Sequence, residues 1–160
     1  MVSKILSKET CASCKFCCSF RRQSLWETPI FSEKEMLFLS EKFPEVKFIS
    51  RGNSFTYDLS GEYKTNNPEE EAKCPFLNEK TGCILSKTEK PFDCSIWPLR
   101  VVKKNEEIKI VLDNVCPAFK NIPIEEIRDL VFNGLAQNII SKASENPDML
   151  KSDSEQFIEL

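Results

Sequence analysis

Eight cysteines and no histidine set the chemistry open to this chain of 160 residues. Cys11, Cys14, Cys17 and Cys18 fall in one short run, and Cys74, Cys83, Cys94 and Cys116 follow at wide intervals. Thiols this dense are either oxidised to disulfides or bound to metal. A disulfide framework fits poorly: Cys17 and Cys18 are adjacent, so each needs a remote partner, and one short segment would be cross-linked to several distant points. Buried thiols acting as small hydrophobes account for one or two of the eight, not for the run.

The metal reading gives each spacing a reason. Two residues between cysteines let both thiolates face one ion while the intervening amides turn around the sulfurs. Two such steps in succession, at Cys11, Cys14 and Cys17, offer three converging thiolates. Bacterial iron–sulfur sites use the same run, completed by a cysteine followed by proline. Cys74-Pro75 and Cys116-Pro117 have that character here but lie far off in sequence, so the completing ligand must arrive through folding. Neighbouring side chains diverge in both helix and strand, so Cys17 and Cys18 do not serve one ion together. Either they serve two sites, or one of them is not a ligand. All eight cysteines are candidate metal ligands.

The absence of histidine excludes Cys/His zinc fingers, two-histidine-carboxylate iron sites, a histidine general base and a Cys–His nucleophilic dyad. An all-thiolate set suits zinc or an iron–sulfur cluster, most readily a 4Fe–4S cluster. Lys8, Lys15, Arg21 and Arg22 flank the run and could lower the thiol pKa values; as solvated bases they need no such role.

The elements that must position these thiols are short. Ser32 and Glu35 form a capping-box pattern ahead of Met36, Leu37, Leu39 and Phe43, with Pro44 beyond, which predicts a helix over 33–43. Residues 46–50 and 54–58 alternate across Arg51-Gly52-Asn53 and predict a hairpin. Residues 60–72 are polar and read as a solvated loop. Residues 99–103 and 108–112 predict a second, β-branched hairpin. Apolar residues from Ile124 to Ala143 keep one helical face, with Pro123 at the first turn and acidic residues near the amino end, which predicts one long amphipathic helix. The fold expected is a small single α+β domain over 1–145, with short β-hairpins, a cysteine-bound metal core and that long C-terminal helix. Residues 146–160 read as a polar, loosely held helical tail.

Composition narrows the function. Hydrophobic residues make up 41% and charged residues 29% of the chain, which is ordinary for a soluble globular protein. A net charge of −3 argues against a nucleic-acid footprint. The first ten residues lack a signal-peptide pattern, and no apolar run is long enough to span a membrane. A cytoplasmic protein with reduced thiols, a protein partner and no membrane or nucleic-acid partner is expected.

The ordered set Cys11-x-x-Cys14-x-x-Cys17-Cys18, Cys74-Pro-Phe-Leu77, Cys83-Ile84 and Lys90-Pro91-x-x-Cys94-x-x-Trp97-Pro98 resembles the YkgJ-type cysteine-cluster family over about residues 11–117. That resemblance implies a zinc- or iron-chelating domain related to flagellin lysine N-methylases. Three features depart from the pattern. Lys15 stands where the family commonly has glycine. Lys90 and Ser95 replace basic residues around Cys94, and Trp97 replaces phenylalanine. Phe76, Leu77, Ile84 and Trp97 read most simply as packing around the site. Three functions stay open at this point: an iron–sulfur protein in electron transfer or maturation, a lysine-methylase-like enzyme, and a zinc module that presents a binding surface. The chain has only four glycines and no glycine-rich loop for S-adenosylmethionine.

Overall fold

The computed structural model describes residues 12–160. The fold is mixed α+β with short, mainly antiparallel sheets. The chain forms two compact units, residues 12–95 and residues 96–160.

The first unit is held by an aromatic core. The helix α1 (Glu33–Lys42) carries the expected capping box: the Ser32 hydroxyl accepts from the Glu35 amide, and the Glu35 carboxylate accepts from the Ser32 amide at 2.8 Å. The β-strand β1 (Ser19–Arg21) precedes it. The expected first hairpin forms as β2 (Phe48–Arg51) and β3 (Ser54–Tyr57), turning at Gly52, whose φ of 61° is the left-handed conformation such a turn needs. The solvated loop ends in β4 (Glu71–Lys73), which pairs antiparallel with β1. A small hairpin, β5 (Leu77–Asn78) and β6 (Gly82–Cys83), follows. Asn78 fixes its turn by accepting from the amides of Lys80 and Thr81.

Phe31, fully buried, sits edge-on to Phe48 and Phe76, and Phe76 sits edge-on to Phe43 and Tyr57. Edge-to-face geometry suits the ring quadrupoles and adds to the area buried. Leu39 of α1, Val46, Leu59 and Leu85 complete this core, and Cys74 and Cys83 pack against it. Arg51 donates to the carbonyls of Leu25, Trp26 and Thr28, which ties down the 3₁₀ segment Arg22–Glu27.

The second unit is built on the expected β-branched hairpin, β7 (Leu99–Lys104) and β8 (Glu107–Asp113). Its tight turn places Asn105 and Glu106 at φ of 51° and 65°. The polar tail expected at 146–160 is not helical beyond its first 3₁₀ turn, Pro147–Met149. It adds β9 (Leu150–Lys151), parallel to β7, and β10 (Phe157–Glu159), antiparallel to β8.

The single long helix expected over 124–143 is corrected to two. α3 (Ile124–Phe132) and α4 (Ala136–Glu145) are separated where Asn133 leaves helical geometry, with φ −89° and ψ 7°, and Gly134 follows. Glycine weakens a helix interior by about 1 kcal/mol, and the break lets each helix bury its own pair, Ile127 with Val131 and Ile139 with Ala143. Among the described residues, no helix is long and apolar enough to cross a membrane.

At the head of β7 the guanidinium of the buried Arg100 lies 4.1 Å from the Trp97 ring centroid and 4.0 Å from the Asp113 carboxylate. Gln156 donates to the other Asp113 oxygen at 3.3 Å. Burial raises the Asp113 carboxyl above its ordinary range, although Arg100 opposes the shift.

Candidate metal centre

The thiols gather at the end of the β1–β4 ladder. Ser19 pairs with Lys73, and one step beyond, the Cys74 amide donates to the Cys18 carbonyl at 2.8 Å. The ladder therefore fixes Cys18 beside Cys74, across a large stretch of sequence. Cys17 and Cys18 close the 3₁₀ turn Phe16–Cys18, which begins after Lys15 at φ 55°. The Cys18 amide donates back to the Lys15 carbonyl at 3.0 Å.

The β5–β6 hairpin brings in the next thiol. Cys83 pairs with Leu77, the Leu77 amide donates to the Cys74 carbonyl at 3.0 Å, and the Ile84 amide donates to the Phe76 carbonyl at 2.9 Å. The 12–14 turn packs on the same hairpin: a Cβ on Gly82 would meet the Ala12 Cβ at 3.0 Å, and Gly82 also has a φ of +78°. Glycine is required there on both counts. Cys94 comes from the short helix α2 (Phe92–Ile96), whose position is fixed in part by the Ile30 amide donating to the buried Asp93 carboxylate at 3.3 Å.

Five sulfurs act on one another in this arrangement. Cys18 hydrogen-bonds through its side chain to Cys17 and Cys74; these bonds, reinforced by burial, push its thiol far above the ordinary range. Cys74 moves the other way: hydrogen bonding from Cys18 first, then from Tyr57 and the Phe76 amide, outweighs burial and lowers its pKa. Burial raises Cys83, against the Leu85 amide and Lys90, which favour its thiolate. Burial and the charges of Cys74, Cys17, Asp93 and Cys83 raise Cys94 well above the ordinary range. Cys94 nonetheless keeps solvent-accessible surface.

Two features repeat. The Phe76 amide serves the Cys74 sulfur and the Leu85 amide serves the Cys83 sulfur, each two residues further along the chain. Amides folded back onto sulfur stabilise the thiolate, and hydrogen bonds of this kind tune metal–thiolate centres.

The structure thus assembles Cys17, Cys18, Cys74, Cys83 and Cys94. Cys14 is exposed at the end of the 12–14 turn, Cys116 is buried in the second unit ahead of the 3₁₀ turn Pro117–Phe119, and Cys11 lies outside the described residues, as does Lys8. The seven described cysteines are thiols, not disulfides. The metal core expected from sequence is not formed as a coordination shell: among the described residues, no group of three or more Cys, Asp or Glu side chains has metal-holding geometry. The donor set still fits a thiophilic metal, being all sulfur, partly buried and served by amide donors.

Sequence reasoning missed Tyr57. It ends β3 at 2% exposure, and its hydroxyl is buried without a partner of regular hydrogen-bond geometry. The Cys74 sulfur lies close enough for each group to perturb the other, and Cys94 and Cys18 lie in range. In sequence Tyr57 is one alternating apolar residue of a hairpin, with nothing to set it apart.

No protein-family model, curated protein or solved structure matches this chain. The likeness to the YkgJ-type family therefore rests on the order and spacing of the residues quoted above.

Proposed function

We propose that residues 12–95 bind a metal through cysteine thiolates, and that the centre is an iron–sulfur cluster. The carrying observation is the backbone bond that sets Cys18 beside Cys74, with Cys17, Cys83 and Cys94 near enough to perturb them and amides serving Cys74 and Cys83. Five sulfurs exceed the four that a single tetrahedral ion takes. A set that includes both Cys17 and Cys18, beyond the four thiolates of one ion, favours a polynuclear centre. When bound, such a cluster supplies one-electron chemistry. The chain's own contribution is to hold the sulfurs, shield them with Phe76 and Tyr57, and set their protonation. The YkgJ-type resemblance points the same way and extends the reading to an electron-transfer or maturation role with a protein partner. The second reading is a structural zinc held by four of the five thiols, favoured by the back-folded amides at Cys74 and Cys83.

One experiment separates the two. Protein purified without oxygen is assayed for iron, acid-labile sulfide and zinc, with its visible spectrum. Iron and sulfide with a visible charge-transfer band support the cluster. A colourless protein with stoichiometric zinc supports the second reading, and a metal-free preparation that takes up neither metal sinks both.

A further inference from the structure

The β1–β4 ladder sets Cys18 directly opposite Cys74. In an antiparallel pair, opposed residues alternate between hydrogen-bonded and non-hydrogen-bonded positions. The Arg22 amide donates to the Glu70 carbonyl at 2.9 Å and the Cys74 amide to the Cys18 carbonyl at 2.8 Å, with Phe20 opposite Ala72 midway between. Residues 18 and 74 therefore continue the hydrogen-bonded set. Alternate residues of a strand share a face, so both cysteines lie on the side of Phe20 and Ala72, which are buried. Opposed Cα atoms in such a pair are about 5.5 Å apart, inside the roughly 4.4–6.8 Å that a disulfide spans. Among the described cysteines no other two stand opposite each other on a ladder: Cys83 is opposite Leu77, and Cys94 is carried by the short helix α2.

Neither Cys18 nor Cys74 is sealed from solvent, so a small oxidant reaches them. We infer that Cys18 and Cys74 are a reversible redox pair, closed into a cross-strand disulfide by a peroxide and reopened by a thiol. One sulfur attacks the peroxide, the O–O bond breaks, and that cysteine becomes a sulfenic acid as water leaves. The second sulfur attacks the first; the S–S bond forms, the S–O bond breaks, and a second water carries off the remaining thiol proton. Two thiols and one hydrogen peroxide give one disulfide and two waters. Cβ atoms of opposed residues lie about 4.5–5.5 Å apart, whereas a disulfide holds them near ~3.8 Å. Closing the bridge draws the strands together, and a bond made under strain is the kind that thiols reopen. Two of the five gathered thiols then leave the donor set, so the state of this pair decides which sulfurs the site offers. Nothing in this step draws on a bound metal.

The test uses the full chain, treated with a chelator and then with a slight excess of hydrogen peroxide. Remaining thiols are alkylated, the chain is cut with trypsin without reductant, and the peptides are read by tandem mass spectrometry. One major cross-link is expected, joining Phe16–Arg21 to Cys74–Lys80 through Cys18. Two alkylatable thiols are expected to be lost, and both regained in dithiothreitol. Cys17→Ser is expected to keep the link, which assigns it to Cys18. A major link through any other cysteine overturns the inference, as does oxidation to sulfinic acid with no bridge between Cys18 and Cys74. A bridge that dithiothreitol fails to reopen overturns its reversibility and with it the redox pair. Should Cys17→Ser fail to fold, fragmentation between Cys17 and Cys18 in the wild-type peptide makes the same assignment.

Discussion

The Cys74 amide donates to the Cys18 carbonyl at 2.8 Å, one residue past the last pair of the β1–β4 ladder. A backbone bond therefore joins the two thiol-bearing segments, and their sulfurs meet because the ladder continues between them. Cys74 takes hydrogen bonds from Cys18 and the Phe76 amide, with Tyr57 alongside. Cys74→Ser is expected to abolish stoichiometric metal binding, whereas Ser19→Ala on the neighbouring rung retains it. Metal analysis of the two purified variants decides the matter.

Lys15 occupies the left-handed region at φ 55°, where the YkgJ-type pattern commonly places glycine. A non-glycine residue there carries roughly 1–2 kcal/mol of strain. Lys15 also pairs with Glu79 at 2.8 Å. Lys15→Gly and Lys15→Ala both delete that ion pair, so comparing them isolates the backbone. The glycine variant is expected to be about 1 kcal/mol more stable than the alanine variant in urea titrations. Equal stability would show that the turn relaxes without strain.

Hydrogen bonds from Lys15 and Lys73 hold the Glu79 carboxyl down at about 2, well below the ordinary carboxylate value. A carboxyl depressed in the folded state stabilises it above the unfolded value, and this contribution fades as pH falls through the folded one. Stability from Glu79 is therefore present near neutrality and lost between about pH 4.5 and 2. Glu79→Gln is expected to flatten the fall of the urea midpoint over that window, and more so in low salt. A slope unchanged from wild type counts against the linkage.

In the second unit, Arg100 and Asp113 are a buried pair that is incompletely hydrogen-bonded: Arg100 Nε and one Asp113 oxygen lack partners of hydrogen-bond geometry. Removing one member strands the other. Asp113→Ala is expected to cost about 3–5 kcal/mol, while Arg100→Met with Asp113→Leu is expected to be near neutral or stabilising. Thermal melts of the single and double variants test the difference.

Metal loss is expected to act regionally. A structural zinc supplies an apparent ~10–16 kcal/mol, comparable to a domain's whole net stability of ~5–15 kcal/mol. Chelation is expected to remove hydrogen-exchange protection from β1, β4, β5 and β6 first. The β7–β8 hairpin should keep its protection. Uniform loss along the chain would contradict a centre confined to residues 12–95.

The parts of this fold that sequence revealed are those encoded over short distances. Ser32 and Glu35 announced α1 because a capping box needs only three residues of spacing, and the two hairpins announced themselves by alternation around their turns. The break between α3 and α4 is hidden in sequence because the apolar period runs on through Asn133-Gly134, whose interruption is only two residues long. The site was legible as chemistry and not as geometry. Strands of two or three residues, β1, β4, β5 and β6, carry too little propensity to be recognised, yet they decide which cysteines meet. Tyr57 is visible only in the fold, which brings its hydroxyl within reach of Cys74.

The short C-terminal strands have a consequence for self-association. A bare β7–β8 hairpin would present two long rows of unpaired amides and carbonyls, the template on which chains stack into aggregates. β9 covers part of one row, at Val101 and Val102, and β10 part of the other, from Val111 to Asp113. Among the described residues, the outermost strands are then only two and three residues long, too brief to recruit another chain. The segment that looked like a dispensable polar tail is the selvedge that keeps this sheet from fraying into its neighbours.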